Sequence, residues 1–176
     1  MRMLSAALAC CLVAAPAFAK TNSNKLVVHI KTSEGLDAGT ATFRQLKDGR
    51  LSINLNLKNL PFGQHAVHIH EHAVCDAPDF KGAGGHFNPS GRQHGMENPN
   101  GHHNGDLPNI SIGESHMGEA AFKVNYLSLD PSASNSIVAN GGTAIVVHEH
   151  ADDMKTDPSG NSGNRIACGV ITEPKP

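Results

Sequence analysis

The stretch GQHAVHIHEH, residues 63–72, carries four histidines: His65, His68, His70 and His72. The last three alternate, and in a strand residues two apart share a face. Such a face presents a row of imidazoles, whose neutral ring nitrogens are the commonest protein metal ligands. More candidates follow. GGHFNP (84–89) sets His86 beside glycines and before a proline, and RQHG (92–95) holds His94. HHNGDLPN (102–109) offers His102 or His103 with Asp106, and the apolar run AIVVH ends in His148, directly before EHADD. Six imidazoles and one carboxylate exceed what a single tetrahedral zinc needs.

The candidates divide by the backbone that carries them. His68, His70 and His148 fall on strand-like runs and give a rigid nitrogen face, a donor set that suits Cu(II). His94, His103 and Asp106 fall on one irregular stretch and match the mixed nitrogen and oxygen set of a closed zinc site. His86 lies between the two groups, where one ring could bridge two metals.

Strands must position these residues. KLVVHIK (25–31), GTATFRQL (39–46) and LSINLNL (51–57) alternate, the last with Leu51, Ile53, Leu55 and Leu57 on one face and Ser52, Asn54 and Asn56 on the other. KDGR (47–50) between two of them reads as a hairpin turn. HAVHIH (65–70), GEAAFKVNY (118–126), TAIVVH (143–148) and IACGVI (166–171) are further strands, with a weaker one at SIVAN (136–140). Residues 72–117 and 149–164 show no clean period and are rich in Gly, Asn, Pro and His, so they read as two long functional loops. No repeat and no amphipathic helix is present. The pattern is one antiparallel all-β domain.

Composition agrees. The chain has 176 residues, 18 glycines and 10 prolines, but only 4% aromatics, which favours short elements joined by turns. A net charge of −2 gives no phosphate-binding surface, so nucleic acid is excluded as a partner. Residues 1–19 read as a signal peptide: Arg2, an apolar run, then AFA before Lys20. The run is too short for a membrane span. Lipoprotein processing at Cys10 or Cys11 is disfavoured by the poor match of ALA before Cys10. Cys10 and Cys11 therefore leave with the leader, and the remaining pair, Cys75 and Cys168, suggests one disulfide in an oxidising compartment.

In order along the chain, HAVHIHE, GGHFNP, HG, HNGDLPN, VVHEHADD and GNRIACGVI resemble the successive signatures of the copper–zinc superoxide dismutase family. The resemblance covers nearly all of residues 20–176 and implies a flattened eight-stranded Greek-key β-barrel, an immunoglobulin-like sandwich. It implies copper held by His68, His70, His86 and His148, and zinc held by His86, His94, His103 and Asp106, with His86 shared. His103 has the family's spacing to Asp106, which leaves His102 a bystander. Cys75 and Cys168 match the family disulfide, Arg165 the arginine beside the copper channel, and Asp152 the carboxylate behind ligands of both metals. His65 is expected to support the copper loop by hydrogen bonding, His72 to have a structural or merely solvent-exposed role, and His29, His116 and His150 to have none.

The implied activity is disproportionation of superoxide to oxygen and hydrogen peroxide by Cu(II)/Cu(I) cycling, with His86 returning a proton. The chain departs from many eukaryotic members in DPSGNSGNR, which has no lysine, and in HGMENPNG after the loop histidine. These point to a bacterial exported type, periplasmic and either monomer or homodimer. Lys81 and Lys155 are the candidates for local steering, offset by Glu149, Asp152 and Asp153. A metal-storage module is the competing reading, but it has no use for Arg165 or a bridging histidine.

Overall fold

A computed structural model describes residues 24–173; the expected leader at 1–19, with Cys10 and Cys11, lies outside them. No helix among the described residues is long and apolar enough to cross a membrane. The described residues begin with three strands: β1 (Lys25–Thr32), β2 (Asp37–Gln45) and β3 (Leu51–Lys58). They pair antiparallel in sequence order. In β3 the alternation is realised as read, with Leu51, Ile53, Leu55 and Leu57 buried and Asn54 and Asn56 facing out.

The chain then runs through β4 (Gly63–His65) and β5 (Val67–His70), separated by Ala66 alone. After them come β6 (Ile110–Ile112), β7 (Met117–Val124), β8 (Thr143–His148) and β9 (Arg165–Ile171). One sheet runs β5-β8-β9-β1-β2-β3-β7, and a ribbon pairs β4 with β6. The two join at both ends. β6 turns into β7 through the Gly113 N–H donating to Met117 O, and β4 continues into β5. Counting β4 and β5 as one bent strand gives the eight strands of a closed Greek-key barrel, with the nonlocal pairings β3·β7, β1·β9 and β5·β8.

Two details differ from the sequence reading. Residues 136–140 form no strand. Ile137 and Val138 are buried in the main core, but from a turn whose Ser136 bridges to Ser128 in the same connection and whose Ile137 O accepts from Thr143 Oγ1 at the start of β8. Apolar content there reports a plug for the barrel, not a pleat. Conversely β6 lies inside the stretch expected to be irregular, because three residues, Ile110, Ser111 and Ile112, are too short to show a period.

β5 and β8 are buried along their whole length, so both of their faces are covered. Val67, Ile69, Ile145 and Val147 point into the main core. The opposite face carries His68 and His70, paired with Val146 and Ala144. There Ala144, Val146 and Cys168 meet Phe80, Ala83 and Cys75 from the loop after β5, forming a second small cluster. Cys75 and Cys168 are disulfide-bonded across 93 residues of sequence, stapling that loop to β9.

Candidate metal centre

Cross-strand pairing places His68 and His70 on one face of β5 and His148 at the adjacent end of β8. His86 is brought against β5 by its bridge to His70. Ligand-capable atoms of His68, His70, His86 and His148 all lie within 4.8 Å of one another. Each ring is oriented through one nitrogen. His68 Nε2 donates to Asp152 Oδ2 (2.8 Å), His70 Nδ1 to Gly84 O (2.9 Å), and His148 Nδ1 lies 3.2 Å from Ser162 Oγ. Such outer partners fix the tautomer and leave the other nitrogen as a lone-pair donor.

Those free nitrogens have no protein to satisfy them. His68 Nδ1 and His86 Nε2 are buried without any hydrogen-bond partner. His70 Nε2 and His148 Nε2 face each other at 3.3 Å, although both rings carry their proton on Nδ1 in the pattern above. Buried lone pairs turned on one point are costly unless a cation sits among them. The set fits a nitrogen-bound metal.

A second convergence lies on the other side of the same His86 ring. His86 Nδ1 is 2.9 Å from Asp106 Oδ1, His94 Nδ1 is 3.0 Å from that oxygen, and His103 Nδ1 is 3.5 Å from it. His103 Nδ1 is also 3.3 Å from His86 Nδ1. A tetrahedron with metal–ligand bonds of about 2.0 Å has edges of about 3.3 Å, so three nitrogens and one oxygen at these spacings fit zinc. His68 also comes within 4.8 Å of His86, His94 and Asp106. Its Nε2 is taken by Asp152 and its Nδ1 is the unpartnered atom of the nitrogen group, so His103 is the better fourth member.

Backbone donors hold Asp106 in place: Oδ2 accepts from the N–H groups of Gly95 and His103, each at 3.0 Å. Asp152 spans the two groups. Its Oδ2 faces His68 and its Oδ1 accepts from His94 Nε2 at 3.0 Å. Asn109 clamps the Asp152 backbone with two 2.8 Å bonds, one donated and one accepted. Gly160 (φ 64°) allows the 149–164 loop to pass here, since a Cβ on it would overlap the Asp152 carboxylate and come within 2.7 Å of His94 Nε2. Asn109 and Gly160 carry no signal in the sequence beyond their position in loops.

Electrostatics follow from burial and these contacts. Burial pushes His70 down to about 2, aided by the neighbouring His86, and burial likewise brings His86 to about 4. His68 and His148 are lowered for the same first reason. They stay neutral and available as ligands at pH 7. His94 is different: burial opposes its charge, but hydrogen bonds to Asp106 and Asp152 more than offset this and raise it to about 9. Both carboxylates are held well below the usual range by their histidines despite the opposing effect of burial. Between two carboxylates, His94 holds a proton that a divalent cation would displace.

Residues 37–171 match the family model described as copper/zinc superoxide dismutase (SODC). The chain belongs to the copper/zinc superoxide dismutase family. It is 45% identical over 140 residues to superoxide dismutase [Cu-Zn] 2 of Aquifex aeolicus, covering 79% of this chain and 81% of that protein. It is 39% identical over 145 residues to the superoxide dismutase-like protein YojM of Bacillus subtilis, covering 82% and 74%. A crystal structure of a SOD-like protein from Bacillus subtilis superposes with a TM-score of 0.79 at 38% identity, covering 82% of this chain and 97% of that one.

Other residues singled out in this superoxide dismutase chain fall as follows. Arg165 Nη1 donates to Phe80 O (2.7 Å) and Nη2 to Gly84 O (2.6 Å). Gly84 O is the same oxygen that orients His70, so the guanidinium sits one carbonyl away from the nitrogen group. His65 is buried and reaches His148 O and Pro61 O through its two nitrogens. His72 is exposed and lies 3.6 Å from Glu71, outside the cluster despite its place in the alternation. His102 turns away to pack on Tyr126, with ring centroids 4.5 Å apart. His29, His116 and His150 join neither group. The two lysines expected to steer substrate are each in an ion pair, Lys81 with Asp79 and Lys155 with Glu97, which blunts that expectation.

Proposed function

We propose that His68, His70, His86 and His148 hold copper and that His86, His94, His103 and Asp106 hold zinc, in an enzyme that converts two superoxide ions and two protons to oxygen and hydrogen peroxide. The observation that carries this reading is the His86 ring: its buried Nε2, without a protein partner, belongs to one donor group while its Nδ1 belongs to the other. Bound copper supplies reversible one-electron transfer, and bound zinc, which has no redox chemistry, supplies a fixed charge beside the shared imidazole.

The chain's own residues do the rest. Gly84 O, Asp152 and the Ser162 and Gly163 edge orient the imidazoles of His70, His68 and His148. Arg165 spends two N–H groups on Phe80 and Gly84 and keeps the other three of its five for an anion. A small diatomic anion docked there lies beside the nitrogen group by virtue of the shared Gly84 carbonyl. His86 Nε2 is the atom placed to hold a proton and pass it to the departing peroxide, while Nδ1 stays in the Asp106 group. Asp106, buried and held by two backbone N–H donors, keeps that ring from turning.

The reading extends to a signal peptide at 1–19 and a mature domain at 20–176, working in an oxidising exported compartment, the bacterial periplasm. The Cys75–Cys168 bond supports such a compartment. Metal analysis and a superoxide-consumption assay on the mature protein test the proposal. Equal copper and zinc with rapid turnover are expected, and His86→Ala should abolish turnover. Bound metal with no turnover would leave a storage protein; full activity in His86→Ala would remove the shared ring from the mechanism.

A further inference from the structure

The segment 102–106 supplies two of the four zinc donors from a loop, and a loop has no intrinsic rigidity to offer them. On one side it is tied to β5, since Gly105 O accepts from Ile69 N (2.8 Å), and to the loop after β5, since Gly105 N donates to Phe87 O (2.7 Å). On its other side a single residue makes every contact named next. Tyr126 Oη donates to Asp106 O (3.2 Å), Tyr126 O accepts from Asn104 Nδ2 (2.9 Å), and the Tyr126 ring meets the His102 ring edge to face at 4.5 Å. Tyr126 itself is half-buried and packs against the main core just beyond the end of β7. It is a post standing on the barrel, with the donor segment hung on it.

We infer that Tyr126 is a positioning residue for zinc retention, holding His103 and Asp106 in place by gripping the 102–106 segment at Asp106 through its hydroxyl, at His102 through its ring and at Asn104 through its main-chain carbonyl. This rests on the reading of His86, His94, His103 and Asp106 as the zinc ligands. The grip is directional. It acts directly on the loop-borne donors, whereas His68, His70 and His148 ride on strands buried on both faces. It also gives His102 a job that its neighbour's ligand role obscures: its ring fills the space against Tyr126 while its Nδ1 engages His103 O.

The chain has one tyrosine and no tryptophan, so its tyrosine emission comes from this post alone. The test uses mature protein loaded with copper and zinc, challenged with a chromophoric chelator that reports zinc release, while the visible Cu(II) band reports the copper side. Tyr126→Phe removes one hydroxyl and keeps the ring; zinc should leave about two- to tenfold faster, the worth of one hydrogen bond, with the copper band unchanged. Tyr126→Leu should release it faster still. Adding zinc to metal-free wild type should change tyrosine emission with the same midpoint as zinc binding. Wild-type zinc release from Tyr126→Phe, loss of both metals in parallel with a lower metal-free melting temperature, or emission indifferent to zinc would each overturn the inference. Asp106→Asn separates the two layers: its retention of zinc would overturn the ligand assignment, whereas its loss of zinc beside an unaffected Tyr126→Phe would overturn the role of Tyr126 alone.

Discussion

Gly160→Ala tests whether Asp152 couples the two metal groups. The added Cβ falls on Asp152 Oδ1, the atom that accepts from His94, so the carboxylate must move. The backbone adds its own cost, since φ at Gly160 is 64° and an L-residue in that region loses about 1–2 kcal/mol. The two costs can be separated. Displacing Asp152 weakens hydrogen bonds to both His68 and His94, and losing such outer partners typically lowers metal affinity about 10- to 100-fold. The backbone cost falls on folding alone and should lower the melting temperature of metal-free protein by about 2–8 °C. In an Asp152→Ala background the carboxylate is already gone. There Gly160→Ala should change chelator-measured copper retention by less than about twofold, while the loss in melting temperature persists and zinc retention keeps a smaller effect from the same Cβ, 2.7 Å from His94 Nε2. Full additivity of the two substitutions on copper retention would refute the coupling, because His68 is reached from Gly160 through Asp152.

Arg165→Lys keeps a charge but loses the fork that spans Phe80 O and Gly84 O; kcat/KM for superoxide should fall about 10-fold or more with metal content intact, by pulse or stopped-flow assay. Cys75→Ser frees the loop that those carbonyls belong to. The chain-entropy model gives a loss of up to about 4–5 kcal/mol for a loop of this length, read by denaturant unfolding, and activity should fall with it. For metal-free protein, stability should peak near neutral pH. The raised pKa of His94 contributes stability present below about 6.5 and lost as pH rises through about 9. The depressed His70 and His86 resist protonation in the fold, so stability is also lost as pH falls from about 6.5 towards 4, each with a slope of up to about 1.4 kcal/mol per pH unit. Zinc should flatten the alkaline flank by replacing the His94 proton, and a melting curve against pH with and without zinc checks this.

Much of the site was legible because its donors are chemically distinctive residues at fixed spacings. His68 and His70 alternate on a strand, and the period alone puts them on one face. It also puts His72 there, and the structure parts them because β5 ends at His70 and the chain turns into the loop. The choice between His102 and His103 needed the family's spacing, since adjacent residues cannot be told apart by composition. What stayed hidden acts through backbone or through shape. Gly160 matters for the Cβ it lacks, Asn109 for holding a main chain, and Tyr126 for contacts with a segment about twenty positions away. The fold was legible where strands alternate over many residues, as in β3. It was not where an element is three residues long, as in β6, or where buried Ile137 and Val138 come from a turn.

Ala66, the single residue between β4 and β5, has a consequence for how metal and fold depend on each other. Its N–H donates to His150 O at 2.8 Å and its carbonyl accepts from His148 N at 2.9 Å. The hinge by which the chain leaves one sheet and enters the other is therefore sewn to the backbone of His148 and His150. The seam between β5 and β8 thereby runs on to the histidine that completes the four-nitrogen group. An opening of that seam, however brief, swings His148 away from His68 and His70. If His148 holds copper as proposed, copper escape should keep time with that opening, so that the rate of metal loss reports how often the seam parts.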